Sequence, residues 1–149
     1  MTYDQLFQRY RKKHGKLVEP RQKFDSLHSS LWLAYSMGRK RNFTDLGTYV
    51  NKPGGHGGEP QGNPPAYAFD LGRKNRFFFK GWNYLVARRL ALFYVENYKA
   101  LNIEYVILGR RIWSRWGAKQ KRWDAENGWH PLTTGDTSHD FHIHVSGSH

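Results

Sequence analysis

Two short segments of this chain alternate strictly, and each carries chemistry on its second face. Residues 66–71, Ala-Tyr-Ala-Phe-Asp-Leu, set Tyr67, Phe69 and Leu71 on one side and Ala66, Ala68 and Asp70 on the other. Residues 139–146, His-Asp-Phe-His-Ile-His-Val-Ser, set Phe141, Ile143 and Val145 against His142 and His144. A period of two is the geometry of a strand, whose successive side chains leave opposite faces. Both segments therefore read as strands with one face on a core, and the two alanines predict open space beside Asp70.

The rest of the chain has other periods. In residues 2–13, Thr2 and Gln5 form a capping box, and Tyr3, Phe7 and Tyr10 recur at helical spacing. Arg11, Lys12 and Lys13 suit the end of that helix, and Gly15 stops it. Leu27, Leu31, Ala34 and Tyr35 predict a second helix over 24–37. Trp82, Leu85, Val86, Leu90, Phe93 and Tyr94 predict a third, the best defined, over 82–99. Residues 103–108 read as a strand ended by Gly109-Arg110-Arg111, and Trp113, Trp116, Trp123 and Trp129 fall in the loop region that follows.

Residues 51–65 read as an irregular stretch, with five Gly and four Pro in the 13 residues from Pro53 to Pro65. Neither a helix nor a central strand tolerates that composition, and long ordered loops in compact domains are often functional. The order of elements predicts a single α+β domain over 1–149, a small antiparallel sheet with flanking helices, residues 1–43 being its helical N-terminal part.

Composition narrows the chemistry. There is no cysteine among the 149 residues, so thiolate catalysis, disulfides and Cys-based metal sites are excluded. A transition metal would have to be held by His and carboxylate. The formal net charge of +12, from 24 Lys and Arg against 12 Asp and Glu, favours anionic partners such as nucleic acid, anionic lipid or acidic cell-wall polymers. No segment approaches the length of a membrane span. The N-terminus does not read as a secretory signal, so a substrate outside the cytoplasm would require another route of delivery.

The spacing His139-x-x-His142-x-His144 is the main chemical signal. On a strand, His142 and His144 project side by side, an arrangement suited to one metal ligand and one acid–base neighbour. Catalytic zinc takes three protein ligands and keeps one position for water, whose pKa falls to about 7 on the metal. Asp70, on the alanine face of its strand, and His56, in the Gly/Pro stretch, are the further candidates.

His56, then Ala68-Phe69-Asp70, then His139-x-x-His142-x-His144-Val145 resembles the superfamily of lysostaphin-type enzymes, D-Ala-D-Ala metallopeptidases and hedgehog domains. The terminal His cluster looks most like the penicillin-insensitive murein endopeptidases. Residues 105–114, Tyr-Val-Ile-Leu-Gly-Arg-Arg-Ile-Trp-Ser, look like phage lysin modules of the D-Ala-D-Ala carboxypeptidase-like group. The resemblance covers roughly residues 44–146. It departs from the family at two points: 13 residues separate His56 from Asp70, a longer interval than the family motif has, and Ala66 stands where the motif prefers Gly.

The resemblance implies Zn2+ held by His56, Asp70 and His144. His142 would then be the catalytic acid–base residue, with His139 supporting it. It further implies hydrolysis of an amide bond in the peptide of peptidoglycan, as an endopeptidase or carboxypeptidase. The setting it implies is the bacterial cell wall, reached as a bacteriophage lysin released through a holin or carried on a virion.

Two rival readings stand beside it. His142-Ile143-His144 is also a His-hydrophobic-His motif, as in metal-dependent DNA-nicking enzymes with a tyrosine nucleophile, a role open to Tyr94 or Tyr98 beside Lys99. The His pair would then follow the tyrosine rather than precede it, and Asp70 and His56 would have no task, so nucleic acid is the less favoured partner. The other rival is an inactive cell-wall-binding module. His14, His28, His130 and His149 read as structural or surface residues. Arg110 and Arg111 are either substrate contacts or a solvated turn, and the tryptophans of 113–129 either a glycan-binding wall or core.

Overall fold

The computed structural model describes residues 1–20, 27–47, 66–73, 82–120, 128–132 and 142–148. Helix α1, Tyr3–His14, starts where its capping box sets it. The Thr2 hydroxyl accepts the Gln5 amide at 3.2 Å, and the Gln5 side chain accepts the Thr2 amide at 2.9 Å. Gly15 ends the helix in the left-handed region, at φ +80°.

The second helix comes later than the periodicity predicts. A 3-10 turn, Ser29–Leu31, leads into α2, Trp32–Arg39. Leu27, Leu31, Ala34 and Tyr35 are all buried, as their spacing predicts. His28, expected within the helix, instead caps the turn, its ring Nδ1 accepting the Ser30 amide at 3.3 Å.

Among the described residues six strands form one sheet. In chain order they are β1 (Thr44–Gly47), β2 (Ala68–Gly72), β3 (Ile103–Leu108), β4 (Arg111–Ser114), β5 (Trp129–Pro131) and β6 (His142–Gly147). Helix α3, Trp82–Glu96, precedes β3, and α4, Arg115–Gln120, follows β4. The spatial order is β1-β2-β6-β3-β4-β5, with every neighbouring pair antiparallel. The chain is thus a single α+β domain built on an open antiparallel sheet.

The sheet is larger than the alternation alone predicts. Gly109, at φ +61°, lets the chain turn in two residues, so that Leu108 pairs with Arg111 and the segment expected as loop becomes β4. Trp113 pairs with Trp129 across β4 and β5, and both are buried. Trp116 is 52% exposed and Trp123 lies outside the described residues. Of the three described tryptophans of 113–129, two are core and one is exposed, a mixture.

Helices α2 and α3 cover one face of the sheet. Phe69 meets the rings of Tyr35 and Tyr94 edge-on, at 5.7 and 6.1 Å between centroids. The buried Tyr94 hydroxyl donates to the Ala34 carbonyl at 2.7 Å, tying the two helices together. The buried stripe of α3 is Ala87, Leu90, Ala91, Tyr94 and Val95, whereas Leu85 is 49% exposed and Val86 and Phe93 are half-buried. The apolar stripe expected through Leu85, Val86 and Phe93 is therefore displaced. Ala87 and Ala91 are small enough to bring the helix close to the sheet, and that close approach outweighs the bulkier residues beside them. Gly38 serves the same end: a Cβ there would run into Leu71 and come within 2.7 Å of the Tyr94 hydroxyl.

Candidate functional site

Strand β6 is the last in sequence but lies at the centre of the sheet, between β2 and β3. Its register sets Asp70 opposite His144, and Ile107 of β3 opposite His144 on the other side. Directly opposed residues share a face. Phe69, Leu71, Ile143 and Val145 go to the helices, so Asp70, His142, His144 and Ser146 go to the other side. Over Ala68–Gly72 and His142–Gly147 the strands face as their alternation requires; Ala66, expected on the Asp70 side, joins the core with Phe69, and residues 139–141 lie outside the described residues.

The Asp70 carboxylate sits between two imidazoles. Its Oδ1 is 3.1 Å from Nδ1 of His144 and 3.5 Å from Nε2 of His142. The far nitrogen of His144, Nε2, is 3.1 Å from the Ser146 hydroxyl. Tyr105 of β3 lies flat against the His144 ring, at 5.3 Å and 14° between planes. Ala66 and Ala68 are buried, His142, His144 and Ser146 are each less than a tenth exposed, and Asp70 retains 19% of its side-chain exposure. The cluster is recessed, with the carboxylate its most exposed member.

A carboxylate only accepts hydrogen bonds. Nδ1 of His144 therefore carries a proton and donates to Asp70, and with the ring neutral the Ser146 hydroxyl donates to Nε2. If Nδ1 instead gives its lone pair to a cation, the proton belongs on Nε2 and the same hydroxyl accepts it. Ser146 is both donor and acceptor, so it serves either state. Neither Ser146 nor Tyr105 was singled out in the sequence. The signal for Ser146 was its position two residues beyond His144, and therefore on the same face; Tyr105 has no such local signal.

Of the sequence-predicted site residues, the structure brings together Asp70, His142 and His144. His56 and His139 lie outside the described residues. Among the described residues no group of three or more His, Cys, Asp or Glu side chains is placed to hold a metal ion. His130, expected to be structural or surface, lies in β5 opposite Ile112, in the same cross-strand row as Asp70 and His144 but at the far edge of the sheet. Arg111 ties the β4–β5 edge, donating to the Trp129 carbonyl at 3.2 Å.

The tyrosines considered as nucleophiles belong to the helical side. Tyr94 is fully buried against Ala34, and Tyr98 packs on Trp113 at 5.1 Å. The sheet stands between them and His144. No helix among the described residues is long and apolar enough to cross a membrane. Compared with protein-family models, curated proteins and solved structures, the chain gives no match.

Proposed function

We propose that the chain is a zinc-dependent hydrolase acting on amide bonds in peptidoglycan peptide. In this reading Asp70 and His144 are metal ligands with His56 as the third, and His142, supported by His139, handles protons. The observation that carries it is the Asp70 carboxylate held between two imidazoles, at 3.1 and 3.5 Å, on a recessed face of the sheet.

Asp70 and His144 suit zinc by donor type, and their separation suits two of its ligands. Two donors bound tetrahedrally at zinc–ligand lengths stand about 3.3 Å apart, close to the separation of Asp70 Oδ1 and His144 Nδ1. With no cysteine in the chain, nitrogen and oxygen are the donors available. Bound zinc supplies a Lewis acid for the scissile carbonyl and lowers the pKa of water to about 7.

The chain's own residues orient and move protons. Ser146 occupies the far nitrogen of His144, so Nδ1 is the nitrogen turned toward Asp70. The Tyr105 ring fixes the plane of that imidazole. His142 is buried beside the carboxylate with its Nε2 toward it. In that position it takes a proton from the attacking water and returns it to the leaving amine. The substrate class rests on the resemblance of the His and Asp pattern, and the net charge of +12 favours acidic wall polymer at the surface.

The test is mass-resolved digestion of purified peptidoglycan by the native protein, by an EDTA-treated sample and by His144→Ala. New amino termini with the native protein alone support the reading, and the fragment masses name the bond. Protein that holds one zinc yet cuts nothing belongs to the binding-module reading. Protein that binds no zinc overturns the metal assignment.

A further inference from the structure

A second concavity lies on the helical side of the sheet, away from Asp70. Half open to solvent, it offers about 290 Å³ between α1, the end of α2 and Phe93 in the last turn of α3. At about 30 Å³ per water in the liquid, that is roughly ten waters' worth of space, enough for one small molecule. Leu6, Tyr10, Met37 and Phe93 give it apolar walls, and Arg9, Lys13, Lys40 and Arg41 surround them. No carboxylate lines it among the described residues, and none pairs with these four cations there.

Capping of helix ends does not account for this charge. Lys13 and Lys40 stand at the C-terminal ends of α1 and α2, where cations suit the helix dipole. Arg9 lies mid-helix. Arg41 lies beyond α2 with its guanidinium spread over the Phe93 ring, 4.4 Å from its centre, which orients its donors in advance of any ligand. The local field is felt by His14 at the rim, whose imidazole is held below its ordinary range by burial and then by Lys13 and Lys40.

We infer that this pocket binds an organic phosphomonoester, a phosphate group carried on a small ring or short apolar body. A phosphate of about −1.5 to −2 charge matches several cations with no counter-charge, and guanidinium recognises its oxygens in pairs. Leu6, Tyr10 and Met37 take the apolar body. A recess of this size holds a single small unit, and duplex DNA is the competitor that separates it from a general nucleic-acid surface.

The experiment is calorimetric titration of the full chain with phenyl phosphate, inorganic phosphate and benzyl alcohol. At physiological salt the Debye length is about 8 Å, so diffuse attraction from the net charge is screened. Phenyl phosphate is expected to bind at one site and at least fivefold more tightly than either half of it. Lys40→Gln and Lys13→Gln, both at exposed positions, should each weaken it at least fivefold. Arg88→Gln, an exposed position on α3 outside the pocket, removes the same unit charge and should change it less than twofold. Equal losses from Arg88→Gln and Lys40→Gln would mean a diffuse field and overturn the site. Inorganic phosphate binding as tightly as phenyl phosphate would overturn the organic part, and displacement of phenyl phosphate by duplex DNA would reassign the face to nucleic acid.

Discussion

Ser146→Ala isolates what holds His144 in place. The substitution removes one hydroxyl, 3.1 Å from Nε2, in a strand whose other contacts are unchanged. Without metal it costs an ordinary hydrogen bond to a neutral ring nitrogen, about 1 kcal/mol. With zinc on Nδ1 the ring is polarised and its Nε2–H bond is charge-assisted, a bond of about 1.5–3 kcal/mol. The difference, about 0.5–2 kcal/mol, is what zinc binding loses, or roughly two- to thirtyfold in affinity. Competition against a fluorescent chelator measures that affinity, and Ser146→Thr, which keeps a hydroxyl, should restore most of it. Nitrogen-15 spectra of the His144 ring give a readout independent of activity: the proton should sit on Nδ1 without zinc and on Nε2 with it. Native zinc affinity in Ser146→Ala, or a proton that stays on one nitrogen throughout, would refute the assignment of Nδ1 as ligand and Ser146 as the residue that positions it.

Two further outcomes test the fold beneath the site. Gly38→Ala should lower the unfolding free energy by about 1–3 kcal/mol through overpacking, because its methyl meets Leu71 and the Tyr94 hydroxyl; urea unfolding at native stability would show that α2 does not lie this close to the sheet. Burial pushes the Tyr35 and Tyr94 phenols above the ordinary 10.0, with the Asp45 carboxylate adding to the effect on Tyr35. Their folded pKa values are raised, so the stabilisation is complete below about pH 10 and is lost as pH rises beyond it. Urea midpoints measured from pH 8 to 11 should fall only at the alkaline end, and Tyr94→Phe should reduce that fall.

Local pattern determined a good part of this protein. The period-two segments fix which side chains of β2 and β6 go to the core, because strand geometry alternates whatever lies above it. On that basis Asp70, His142 and His144 were legible as polar residues on the face away from the helices, and the start of α1 was legible from its capping box. The absence of cysteine excluded thiolate donors. These are properties of neighbours in the chain, and neighbours are what a sequence displays directly.

Partnership was decided elsewhere. Asp70 and His144 are 74 residues apart, and they meet only because β6 inserts between β2 and β3 in one register. A slip of one residue would turn both histidines onto the helices. Tyr105 comes to His144 from a third strand, so no spacing in the sequence foretold that stack. The exposed Leu85 and the buried Ala87 and Ala91 show the same limit on a helix, since the closeness of α3 to the sheet, and not the size of its side chains, selected its buried face. The cation-lined pocket is assembled from three helices whose basic residues look in the sequence like ordinary solvated charge. A long-range pairing depends on how layers stack and which strand takes the central place, and both follow from packing the whole core at once.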